Sequence, residues 1–135
     1  MLKLIIGVKG TGKTKTLINM VNTAVENSHG NVVCIEKGVK LRYDVKYRAR
    51  LINTEEYQIN DAKALYGFIA GILASNHDVT DLFIDSALKI CKNDLSGFDT
   101  FVADLDALVE KVGVNVVITS SIPAEEASET VKKYL

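Results

Sequence analysis

Residues 7–14 read Gly-Val-Lys-Gly-Thr-Gly-Lys-Thr, which is the spacing G-x-x-x-x-G-K-[ST] in full. Each fixed position suits one task in holding phosphate. Gly7, Gly10 and Gly12 let the backbone turn its N–H groups inward where a Cβ would obstruct. Those donors, from Gly7 past Thr11 to Lys15, stand at the start of a helix whose N-terminus attracts anions. Lys13 adds a mobile positive charge for the outer phosphates. The Thr14 hydroxyl suits Mg²⁺, which prefers oxygen ligands. Charge-assisted hydrogen bonds contribute about 1.5–3 kcal/mol each, so several together hold a triphosphate such as ATP firmly.

A loop of this kind needs a strand to deliver it and a helix to receive it. Leu2–Ile6 reads as a short buried strand closed by Gly7. From Lys13 to about Asn27, Leu17, Ile18, Val21, Ala24 and Val25 follow helical spacing. Further strands are expected at Asn31–Glu36, Thr80–Asp85 and Val114–Thr119. Further helices are expected at 61–74, Phe98–Val112 and Ala124–Tyr134. Strands alternating with helices imply parallel pairing with helices on both faces. The runs VVCI, LFI and VVI are continuously apolar, as central parallel strands are. The expectation is a single three-layer α/β/α domain over residues 1–135 with a mostly parallel sheet.

One stretch departs from that alternation. In LRYDVKYRARLI, positions 41, 43, 45, 47, 49 and 51 are apolar or aromatic and the even positions are charged. Period two predicts extended chain, read here as a basic β-ribbon insertion around residues 38–52, with 50–57 including the return to the sheet.

Composition removes several classes. With 47% apolar and 24% charged residues the chain has the balance of a soluble globular protein. Its longest apolar run, YGFIAGILA at 66–74, is too short to span a bilayer, and Leu2–Ile6 is too short for a signal peptide. A cytoplasmic protein with no membrane partner is expected. Cys34 and Cys91 are too few for a disulfide framework and sit in apolar runs, as buried thiols do. No His/Cys group has metal-ligand spacing. The net charge of −1 conceals a segregation: six cations and one acid between Lys37 and Arg50, five acids and no bases between Asp94 and Glu110.

At GVKGTGKT the chain resembles the P-loop NTPases and their Walker A motif. A second acidic anchor should then end a buried strand beside the cradle, and LFID at 82–85 looks like a Walker B motif, with Asp85 joining Thr14 at Mg²⁺. Ser86 follows where many additional-strand ATPases carry a catalytic glutamate. The RecA/KaiC-like branch carries Asp-Ser there and takes its glutamate from the tip of the strand after the first helix, which here is Glu36. The resemblance implies that Lys13 and Glu36 are catalytic, Glu36 activating the attacking water. The alternative is a solvated carboxylate at a strand end. Thr119, at the tip of VVIT, stands where ligands gather in a doubly wound sheet; it either senses the γ-phosphate, as that strand does in RecA-like proteins, or belongs to a helix cap with its neighbours.

The resulting function is Mg²⁺-dependent ATP binding and hydrolysis by a small RecA-like ATPase. A non-catalytic ATP-binding switch or assembly subunit is the alternative. A phosphotransferase is disfavoured because no arginine follows Arg50 to form a late lid. A GTPase is disfavoured because CKND at 91–94 has the wrong order for a guanine-reading loop. The basic 37–50 and acidic 94–110 segments could meet head to tail in a homo-oligomer, or both be solvated faces. Nucleic acid could lie along Arg42, Lys46, Arg48 and Arg50 with Tyr43 and Tyr47 stacking, although a flat ribbon would put the tyrosines on the face opposite the arginines.

Overall fold

A computed structural model describes residues 1–135. Leu2–Ile6 forms strand β1, and the glycine-rich loop leads from it into helix α1 (Lys13–Asn27). Strands β2 (Asn31–Glu36), β3 (Arg50–Asn53), β4 (Val79–Ile84) and β5 (Asn115–Ser120) complete one sheet. Helices α2 (Ala62–Ser75), α3 (Ala87–Ile90) and α4 (Leu95–Val112) connect them, and α5 (Glu129–Lys132) follows. The strand order is β1-β5-β4-β2-β3 and every pairing is parallel. The sheet is thus wholly parallel. Strand β5, last in sequence, lies between β1 and β4, so the strand that feeds the glycine loop and the strand that leads to Asp85 share a neighbour without pairing.

Alternation along the buried strands divides the core in two. Val33, Ile35, Leu82, Ile84, Val116 and Ile118 face α2 and α4, whose Leu65, Ile69, Phe98, Phe101, Val102 and Leu105 cover them. The residues between, Val32, Cys34, Phe83 and Val117, face α1, which buries Leu17, Val21 and Val25 at a spacing of one helical turn. The first cluster holds 27 buried residues and the second only 10, and the thinner side is closed by Leu41, Val45 and Ala49 from the segment after β2. Capping fixes the helix bounds: Asp61 accepts from the Ala64 amide at 2.7 Å and Asp94 from the Gly97 amide at 3.1 Å. Helix α4 ends at Gly113, whose φ of 76° glycine adopts without strain.

The expected β-ribbon around 38–52 is not formed. Residues 38–48 are turns, and only Arg50–Asn53 is extended, pairing with β2 as an edge strand. The amides of Asp44 and Val45 both donate to the Leu41 carbonyl at 3.0 Å, and Ala49 donates to Lys46 at 3.0 Å. These turns bury every fourth residue, Leu41, Val45 and Ala49, and leave Tyr43 and Tyr47 in solvent. Alternation every second residue contains alternation every fourth, and helix α1 selects the latter. Its Asn22 side chain donates to the Asp44 carbonyl and accepts from the Lys46 amide, both at 2.9 Å.

The expected helix at Ala124–Tyr134 is also broken. A 3₁₀ turn at Ala124–Glu126 precedes Ser128, which caps the short α5 by accepting from the Val131 amide at 3.1 Å. Asp81 lies inside β4, which begins one residue before the expected strand, at Val79. No helix is long and apolar enough to cross a membrane. Cys34 and Cys91 are both buried, and burial pushes the Cys91 thiol up to about 12, so it is held as an unreactive thiol.

Candidate functional site

The site is assembled at the carboxyl ends of the strands, on the α1 side of the sheet. Cys34, Phe83 and Val117 face α1, and two residues further along each strand stand Glu36, Asp85 and Thr119. A period of two returns all three polar side chains to the same face. The Asp85 amide donates to the Ile35 carbonyl at 2.9 Å, which extends the β2–β4 ladder and sets Asp85 beside Glu36.

The loop between β1 and α1 supplies the donors. No hydrogen bond within the protein uses the amide N–H groups of residues 8–15, and the first acceptor role at the helix start is the Gly12 carbonyl, which takes the Thr16 amide at 3.0 Å. Gly12 caps α1 in a left-handed conformation, φ 84°, with no side chain over the exposed helix end. Gly7 has φ 153°, and a Cβ there would stand 2.8 Å from the Thr11 hydroxyl. A larger residue would therefore push Thr11 out of the hydrogen bond it donates to the Val8 carbonyl at 2.8 Å. The Lys13 ammonium folds back over the loop, donating to the same carbonyl at 2.8 Å and reaching the Thr11 hydroxyl at 3.4 Å. Free amides, a helix N-terminus and one mobile cation together form a cradle for an anion with several oxygens.

Asp85 is the hub on the opposite wall. It is 8% exposed, and its Oδ1 accepts from the Thr14 hydroxyl at 3.1 Å and from the Thr119 hydroxyl at 2.8 Å. Its Oδ2 lies 3.4 Å from Thr14 Oγ1 and 3.3 Å from Ser86 Oγ. The set is made only of oxygens from one carboxylate and three hydroxyls, the donor chemistry that suits Mg²⁺. Thr119 is wholly buried and also accepts from the Ser86 amide at 2.8 Å. Its hydroxyl is thus engaged by Asp85 and Ser86, which makes it a support for the carboxylate. Ser86 holds φ 55°, a left-handed conformation that costs a non-glycine residue about 1–2 kcal/mol. Ser120 adds a second tie, accepting from the Leu88 amide at 3.3 Å.

Glu36 is only 3% exposed and its carboxylate closes a turn. Oε1 accepts from the Lys40 amide and Oε2 from the Leu41 amide, each at 3.1 Å. Burial pushes its carboxyl above the ordinary value, the two amides oppose that, and the nearby Asp85 charge adds to it. A carboxylate uses about four lone-pair sites, so two amides leave acceptor capacity on each oxygen.

The structure therefore brings Gly7, Gly10, Thr11 and Gly12 of the loop together with Lys13, Thr14 and Lys15 of the first turn of α1, and Thr14 and Thr119 both donate to Asp85. Glu36 stands on the adjacent strand tip. The supporting roles of Ser86 and Ser120 were not anticipated from sequence. Their signal was present as hydroxyls at two strand tips, in IDS and ITSS, which parallel pairing brings side by side.

No family model matches the sequence, and no curated protein does. Among solved structures, the chain is similar in fold to a KaiC-like protein from the hyperthermophilic archaeon Pyrococcus horikoshii, with a TM-score of 0.71 at 15% identity. The superposition covers 98% of this chain and 66% of that one. This chain thus spans just under two thirds of the length of the neighbour. At that identity the likeness is one of fold, a single α/β domain built on an all-parallel five-stranded sheet.

Proposed function

We propose that this chain binds ATP with Mg²⁺ in the 7–15 loop and hydrolyses it as a small RecA-like ATPase. The observation that carries the reading is the direct link between the loop and the strand-tip carboxylate, from Thr14 to Asp85 at 3.1 Å, beside a run of free amides. The insertion of β5 between β1 and β4, and the KaiC-like neighbour, support the same branch.

In this reading the amides of the loop and the Lys13 ammonium bind and orient the phosphates, which is most of what phosphoryl transfer asks of a protein. Thr14 and Asp85 would hold Mg²⁺, which supplies charge neutralisation at the phosphate oxygens. Thr119 and Ser86 keep the Asp85 carboxylate aimed. Glu36, with its carboxyl raised by burial toward the range useful to a general base, orients a water and takes its proton. The water oxygen bonds to the γ-phosphorus, the bond from that phosphorus to the bridging oxygen breaks, and ADP and inorganic phosphate result.

A second reading is favoured by one observation. Both oxygens of Glu36 already hold backbone amides of the following turn, as they would in a nucleotide-binding switch whose Glu36 only shapes a loop. Phosphate release and ATP binding measured for the wild type, Lys13→Ala and Glu36→Gln separate the two. Turnover lost in both variants, with binding kept in Glu36→Gln, supports the ATPase. Binding without turnover in the wild type supports the switch. No binding of ATP by the wild type overturns both.

A further inference from the structure

The segment 41–51 has a second surface that the nucleotide site does not use. Leu41, Val45 and Ala49 anchor it in the core, and Asn22 clamps its middle. On its outer side Tyr43 is 87% and Tyr47 94% exposed. Neither ring has an aromatic partner in the fold. Around them stand Arg42, Lys46, Arg48 and Arg50. Burial of every fourth residue removes the obstacle that a flat ribbon would impose, because the rings and the cations now share the solvent side. The Arg42 guanidinium lies over the Tyr43 ring, 5.2 Å from its centre. A cavity of about 410 Å³ opens among Arg42, Lys46, Tyr47, Arg48 and Arg50, a size at which small-molecule groups are bound. Of the four cations, Lys46 and Arg48 share the Glu26 carboxylate, and Arg42 and Arg50 have no carboxylate partner.

We propose that this face binds single-stranded nucleic acid. Bases stack on the exposed rings while the guanidinium groups follow the phosphates, the combination that sequence-tolerant single-strand binding uses. A duplex keeps its base faces stacked inside and offers nothing to the tyrosines. A second copy of this chain is the poorer occupant, because three of the five acids in its acidic run are engaged at home. Asp94 caps α4, Asp99 accepts from the Ser128 hydroxyl at 2.9 Å, and Asp106 accepts from the Tyr134 hydroxyl at 2.8 Å.

The test is fluorescence anisotropy of a labelled oligothymidylate with the whole chain, at low salt and then over rising KCl. The expected result is binding that weakens with salt, with Arg42→Ala and Arg50→Ala each lowering the slope of log K against log salt by about 0.7. Tyr43→Ala and Tyr47→Ala should weaken binding by about 5- to 150-fold, the loss of one stacked base, whereas Tyr43→Phe and Tyr47→Phe stay near the wild type. Both rings are exposed, so circular dichroism should show these variants folded. Absence of binding at low salt overturns the proposal. So do tyrosine-to-alanine variants that bind as the wild type does, equal competition by a duplex of the same length, or self-association in sedimentation that the arginine variants abolish while no oligonucleotide binds.

Discussion

Asp85 and Glu36 stand at the tips of neighbouring strands, on the same face of the sheet, both largely out of water, yet they are held by different kinds of partner. Asp85 accepts from three hydroxyls, of Thr14, Thr119 and Ser86. Glu36 accepts from two backbone amides, of Lys40 and Leu41. A hydroxyl turns its proton freely and offers lone pairs as readily as it donates, so a carboxylate ringed by hydroxyls can exchange its partners for a cation. An amide only donates and is fixed by the backbone. The Asp85 corner has partners that can be exchanged, whereas the Glu36 corner holds one turn of chain in place and keeps part of a carboxylate free.

The sharpest way to break that contrast is Glu36→Gln. As a general base its loss should lower turnover by about 10²–10⁴-fold, with ATP affinity in a calorimetric titration unchanged. Turnover equal to the wild type would reduce Glu36 to a loop tie. Asp85→Asn should lower kcat by about 10²–10³-fold, the cost of one charge-stabilising group. It should also leave ATP affinity indifferent to Mg²⁺, which titration with and without the cation reads. Thr119→Val sharpens the comparison from behind, since the Thr119 hydroxyl donates to Asp85 and accepts from the Ser86 amide. It should weaken apparent Mg²⁺ affinity about 10- to 100-fold, and by stranding the Ser86 amide it should cost about 1–3 kcal/mol in guanidinium unfolding.

The smallest effect is in pH. Because the folded Glu36 carboxyl is raised above its ordinary 4.5, its contribution to stability is complete below about that pH and falls as pH climbs through the raised folded value. Glutamine does not titrate. The stability difference between wild type and Glu36→Gln, measured by denaturant unfolding without Mg²⁺ or nucleotide, should therefore move in favour of the variant as pH rises from 4.5. Movement the other way would mean that the two amides outweigh burial.

Much of this site was legible before any coordinates. The eight residues of the glycine loop carry their conformation in their spacing, because backbone geometry there is set by glycine itself. Asp85 was visible as the polar end of an apolar strand, and parallel pairing followed from the rhythm of strands and helices. The segment 38–49 was misread because its alternation is compatible with both a strand and a series of turns. The choice is made by Asn22, more than twenty residues earlier, which no local pattern reports. Thr119 was legible as a strand-tip hydroxyl but its burial was not, since that depends on β5 lying between two other strands. The final helix failed at Ser128, where a hydroxyl that caps α5 also donates to Asp99 of α4.

Strand β1, which carries the glycine loop, is an outermost strand, and its outward side meets residues 129–135 through one backbone bond, from the Leu4 amide to the Tyr134 carbonyl at 2.8 Å. That segment is itself secured by the Tyr134 hydroxyl on Asp106. Cooperative opening units in proteins coincide with such lightly attached pieces. The Leu4 amide is therefore a built-in reporter: its deuterium exchange should follow release of the Tyr134 segment, well before exchange of Ile35 or Phe83 in the interior. Tyr134→Phe, which removes only the tie to Asp106, should speed that single amide and leave the interior protection pattern as it was.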